Sequence, residues 1–204
     1  MKGADFRIMG VAMHPDPFVD PLRFLSECHG RIRLRLEIFR EAAAALRGEV
    51  PVAGHPIEAA ILFFQTSGAA HTVDEESSLF PRLLRRLEAL GDREALEQLA
   101  ALEREHRSHE AAHHRVEQAL RALAPSLGDG DGLPDPEATP LAAGTPEALE
   151  AAAALEELVE QYEVHIPIED EQLFPLARRA LPAIEIDEIA AEMRRRHSLG
   201  RSLL

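Results

Sequence analysis

"HIPIEDEQLFPLA", residues 165–177, holds a histidine, a glutamate four positions on, and then Leu-Phe-Pro. "HTVDEESSLFPRL", residues 71–83, repeats that pattern. A shift of 94 residues (71 to 165) places His71 on His165, Glu75 on Glu169, Leu79 on Leu173, Phe80 on Phe174 and Pro81 on Pro175, with Glu76 falling on Asp170. Residues four apart on a helix lie about 40° apart around the axis and about 6 Å apart along it. The imidazole and carboxylate of each pair therefore point the same way and can share one metal ion.

The surrounding sequence is helical. Ala, Leu, Glu and Arg abound, aromatic residues make up only 4%, and long β-branched runs are absent, so the chain reads as all-α. Asp20-Pro21 caps a first helix that runs to about Arg47, with Leu25, Ile32, Leu36 and Phe39 at helical spacing. After the loop "GEVPVAGHP", a second helix starts near Pro56 and stops at Gly91. Asp92 caps a third helix that ends near Leu123. The Pro-, Gly- and Asp-rich stretch 124–144 reads as a flexible loop. Thr145-Pro146 opens a fourth helix that reaches Ala180, and a short helix over about 187–197 follows Leu181-Pro182. The expected architecture is an up-down-up-down four-helix bundle over residues 21–182, made of two helical hairpins. An extended arm over 1–20 precedes it, and residues 183–204 carry the short C-terminal helix.

The other helix of each hairpin supplies one more histidine. His29 follows Leu22 and Leu25 on the apolar face of the first helix, and His106 follows Leu99 and Leu102 on that of the third. Each of four helices thus directs one imidazole at the bundle axis, and two add Glu75 and Glu169. This set suits two metal ions, each with two histidines, bridged by the glutamates. Mixed nitrogen and oxygen ligation with bridging carboxylates favours iron, with manganese or zinc less favoured. A ferritin-like site needs Glu-x-x-His on two different helices. Here Glu103/His106 and Glu110/His113 both fall on the third helix, and Gly68 and Tyr162 stand where the other helices would need glutamate.

The pattern His29, His71-x-x-x-Glu75, His106, His165-x-x-x-Glu169, with "EESSLFP" and "EDEQLFP", resembles the hemerythrin-like HHE cation-binding family over about residues 20–182. The resemblance implies an up-down-up-down bundle around a non-haem di-iron centre that takes O2, NO or peroxide. Animal oxygen carriers of this kind use His-x-x-x-His on the third helix and His-x-x-x-x-Asp on the fourth. This chain has Glu110 four positions after His106, His109/His113 one turn on, and Asp170 five after His165. The register of the repeat aligns His109 with Ile32, which favours the symmetric set of four histidines and two glutamates. His109, Glu110 and Tyr162 remain candidates to join or line the site. Related iron–sulfur repair proteins often carry a cysteine-bearing N-terminal segment, whereas this chain has no cysteine before Cys28.

Composition narrows the rest. A net charge of −14 argues against nucleic acid or an anionic membrane as partner. The single cysteine excludes an internal disulfide framework. No apolar run of about 18 residues exists and no signal peptide is seen, so a cytoplasmic location is expected. Glu76, Asp170, His113, His114, His14, His55 and His197 read as solvated, and Cys28 as an inert core thiol beside His29. Pro81 and Pro175 should kink their helices, while Pro167 and Gly68, each within a turn of a histidine, should shape a small-ligand pocket. The sequence leaves open a binding module or sensor, a di-iron enzyme acting on peroxide or NO, and an iron donor for cluster repair. It also leaves open a protein partner or a homodimer.

Overall fold

The computed structural model describes residues 16–49, 55–123 and 143–201. Those residues are helical apart from short caps and turns, without a strand. The expected loop at 124–144 and most of the expected arm fall outside them, apart from Gly144, Ala143 and the last residues before Pro21.

Helix α1 spans Pro21–Arg47. The Asp20 side chain accepts from the Arg23 N–H at 3.1 Å, and Gly48 closes the helix at φ 84°, where a side chain would be strained. Next come α2 (His55–Phe63), α3 (Ala69–Asp74) and α4 (Phe80–Leu90). Two wide π-helical turns, Phe64–Gly68 and Glu75–Leu79, join them into one rod that Gly91 ends at φ 69°. Asp92 caps α5 (Arg93–Leu123) by accepting from the Ala95 N–H at 3.2 Å. Thr145 caps α6 (Pro146–Ile168) through Ala148 N–H, also at 3.2 Å. A third wide turn, Glu169–Leu173, leads into α7 (Phe174–Ala180). Helix α8 (Ala183–Arg201) begins earlier and ends later than the short helix expected from the sequence.

The prolines are accommodated by these wide turns. A proline ring clashes with the carbonyl four residues back and offers no N–H. Just ahead of Pro81 and Pro175, the Phe80 N–H bonds to the Glu75 carbonyl and the Phe174 N–H to the Glu169 carbonyl, five residues back in each case. The extra residue per turn shifts the offending carbonyl. It also puts Glu75 and Glu169 at matching points of the two rods. Helix α6 continues through Pro167, and buried Gly68 makes room for the Phe64 ring, which a Cβ would approach to 3.2 Å.

Helix α6 packs against α1 and α5, α4 against α5 and α7, and α1 against α2. The interior divides into two apolar clusters. One contains Ile32, Leu36, Phe39, Val116, Leu155 and Ile166; the other contains Leu22, Leu25, Leu83, Leu102, Leu173 and Met193. A buried polar layer containing His29, His71, Glu75, His106, His109, His165 and Glu169 lies between them.

Residues 17–19 are not extended, as the sequence suggested. They form a 3-10 turn that buries Phe18 against the second cluster. Helix α8 rests on this turn, on α1 and on the wide turn at Glu75. His197 is not solvated either: its Nε2 sits 2.7 Å from Asp74 Oδ2, and Arg196 Nε donates to Asp74 Oδ1 at 2.7 Å. Asp74 is fully buried, and Arg196 and His197 supply the hydrogen-bond partners of its two oxygens. Replacing both, Arg196→Ala with His197→Ala, should lower unfolding stability by about 3 kcal/mol in a urea melt. Adding Asp74→Asn should recover part of that loss.

Candidate metal centre

Six side chains reach the polar layer from four rods. His29 comes from α1, His71 from α3, Glu75 from the wide turn after it, and His106 from α5. His165 comes from α6 and Glu169 from the following wide turn. The structure brings all six predicted side chains together. His29 Nε2 and His71 Nε2 face each other at 3.0 Å, and His106 Nε2 and His165 Nε2 at 3.1 Å. The carboxylates lie across both pairs. Glu75 Oε1 is 3.3 Å from His71 Nε2, while its Oε2 is 3.6 Å from His106 Nε2. Glu169 Oε2 lies 3.2 Å from His29 Nε2 and 3.1 Å from His165 Nε2, and its Oε1 lies 3.6 Å from His106 Nε2. His29, His71, Glu75 and Glu169 form one tight group of potential ligand atoms, and His106, His165 and Glu169 form another.

The donor set fits cations on a physical test. Glu75 and Glu169 are 0% exposed, and none of their four oxygens has a hydrogen-bond partner among the described residues. A buried carboxylate without donors costs several kcal/mol unless a positive charge offsets it. The outward nitrogens reinforce this. His29 Nδ1–H donates to Asp170 at 2.9 Å, His106 Nδ1–H to Glu76 at 3.0 Å, and His165 Nδ1–H to Glu105 at 2.8 Å. A proton held on Nδ1 leaves the Nε2 lone pair facing inward, as a metal ligand requires.

Titration follows the same layout. Burial and the nearby Glu169 charge push the Glu75 carboxyl well up. Burial opposes ionisation of Glu169 too, but His106, His165 and His29 outweigh it and hold this carboxyl well below the usual range. Burial lowers His71, helped by the neighbouring His29 ring. In His29 and His165 burial is overcome by the carboxylates on either side, and both are raised.

Three sequence readings need correction. Glu76 and Asp170 are not idle surface carboxylates: they anchor His106 and His29, and Arg33 steadies Asp170 at 2.8 Å. Glu105, which the sequence reading passed over, anchors His165 in the same way. His113 is half-buried, with Nε2 3.0 Å from the Tyr162 hydroxyl. His114 is exposed, as expected. The paired "LFP" also gains a reason. Phe80 stacks on the His106 ring at 5.5 Å and Phe174 on the His29 ring at 5.4 Å.

His109 belongs to the buried layer, stacked on Tyr162 at 4.3 Å and edge-on to His165 at 4.7 Å, but lies outside both groups of potential ligand atoms. Glu110 is exposed on the wall of a cavity of about 450 Å³. That cavity opens between α5 and the α2–α4 rod and reaches His106, His109, Thr72 and Tyr162. Phe64 and Gly68 line it, whereas Pro167 lines a separate cavity beside Tyr162.

Four histidines and two buried glutamates converging in an all-helical chain define a helical cation-binding protein. The chain belongs to the hemerythrin family: the Hemerythrin HHE cation binding domain matches residues 20–144. That span includes His29, His71, Glu75 and His106 and ends before His165 and Glu169. No curated protein and no solved structure matches the chain.

Burial holds His113 down at about 4, against an ordinary value of 6.5. The folded chain therefore keeps this ring neutral where the unfolded chain takes up a proton, and stability must fall as pH drops from 6.5 towards 4. In urea melts of the chelator-stripped protein, wild type should lose stability relative to His113→Gln across that window. The difference between them should stay constant above it.

Proposed function

We propose that the chain is a non-haem di-iron protein whose core binds O2, NO or peroxide. It would do so within an up-down-up-down four-helix bundle over residues 21–182, with 183–204 appended. The observation that carries this reading is the set of four carboxylate oxygens, unpartnered among the described residues, between two facing Nε2 pairs. His29 and His71 would hold one ion and His106 and His165 the other, with Glu75 and Glu169 shared. Nitrogen and bridging carboxylate donors favour iron over a structural zinc site. Bound iron would supply redox capacity and Lewis acidity, and so few protein ligands per ion leave a position for a small molecule.

The remaining residues serve access and positioning. Asp170, Glu76 and Glu105 hold three rings in the ligating tautomer. The 450 Å³ cavity brings a ligand from solvent to His106 and His109. Burial raises the Tyr162 phenol, so it stays protonated on the cavity wall, bonded to His113. No helix of the described residues is long and apolar enough to cross a membrane.

The test is to purify the chain under nitrogen, measure metal content and record the visible spectrum before and after admitting air. Two irons per chain are expected, with an absorption change that reverses on returning to nitrogen. Glu169→Ala should lose both ions, because that carboxylate serves both positions. One zinc per chain, or iron that never responds to air, would contradict the reading.

A further inference from the structure

The two halves of the centre are not equivalent. Each wide-turn segment anchors the histidine of the facing hairpin: Asp170 takes His29, and Glu76 takes His106. Glu105 takes His165, the third such bond. The fourth is missing. His71 Nδ1 is buried and has no hydrogen-bond partner among the described residues. The repeat shows where its partner belongs. The 77-residue shift that places His29 on His106 places Cys28 on Glu105. Cys28 is 2% exposed, and it lines a cavity of about 90 Å³ with His71, Arg31 and Ser67.

We propose that the two ion positions differ in affinity, with Cys28 as the cause: the position held by His29 and His71 fills second and empties first. This rests on the two-ion reading above. A carboxylate on the far nitrogen fixes the ring and raises its basicity, and losing one typically costs 10–100-fold in metal affinity. A thiol is a weak hydrogen-bond partner. Water in the cavity would satisfy Nδ1 without the charge that a carboxylate brings to the other three rings. The open volume beside the ring also gives His71 somewhere to turn when it releases an ion. His29 keeps its support from Asp170 and Arg33, so the position is weakened and not abolished.

The experiment is a ferrous iron titration of the full chain under nitrogen, followed by graded competition with a chelator. Two phases separated by about 10–100-fold are expected. His71→Ala should retain the tight phase and lose the weak one. Cys28→Asp should strengthen the weak phase, and Glu105→Gln should weaken the tight one, so that both narrow the gap. Glu105 is about a third exposed, so its variant should fold even if a carboxylate at residue 28 does not, and it then decides alone. Two phases of equal affinity would overturn the proposal. So would a gap that Glu105→Gln leaves unchanged, or loss of the tight phase in His71→Ala. Failure of the wild-type chain to bind any iron would instead sink the two-ion reading, and this inference with it.

Discussion

Two carboxylates wholly removed from water, with no hydrogen-bond partner for any of their oxygens among the described residues, set the terms for the rest of this fold. Desolvating such groups costs several kcal/mol each unless positive charge meets them. Everything around Glu75 and Glu169 answers that requirement. Four imidazoles turn Nε2 towards them, and two apolar clusters fill the rest of the interior. A cation at each nitrogen pair would convert the least favourable feature of the core into its strongest attachment, since the six side chains come from four rods.

The repeated "E-[ED]-x-x-L-F-P" segment does several jobs within about two helical turns. Its first acid faces the centre, and its second reaches sideways to a histidine on a neighbouring helix. Its phenylalanine lies flat on that same ring, and its proline coincides with the wide turn that phases the glutamate. Each segment therefore braces a ligand of the other hairpin. The two halves are tied together through their histidines before any ion is considered. The exception at His71 marks where the duplicated halves have diverged.

The helices and inward-facing ligands were legible in the sequence because both obey local rules. Caps at Asp20, Asp92 and Thr145 and the glycines at 48 and 91 mark the ends, and the spacing of four marks His71/Glu75 and His165/Glu169. Outer partners were hidden because they act between helices. Glu76, Asp170 and Glu105 each sit next to an inward-facing residue, where a straight helix turns a side chain about 100° away from the core. Only the facing helix shows that this direction leads to an imidazole. His113 and His197 were misjudged for the same reason, since Tyr162 and Asp74 lie far from them in sequence. The wide turns had a signal in the two prolines, but proline alone does not separate a kink from an inserted residue.

The family match ends at residue 144, so the second half of the centre rests on the internal repeat and on the convergence of His165 and Glu169 with the first half. The most direct measurement is an anomalous difference map at the iron absorption edge, from crystals of the protein purified without added metal. The account predicts two peaks, one bonded to His29 and His71 and the other to His106 and His165, with Glu75 and Glu169 touching both. A single peak, peaks elsewhere, or no signal among these six side chains would contradict it.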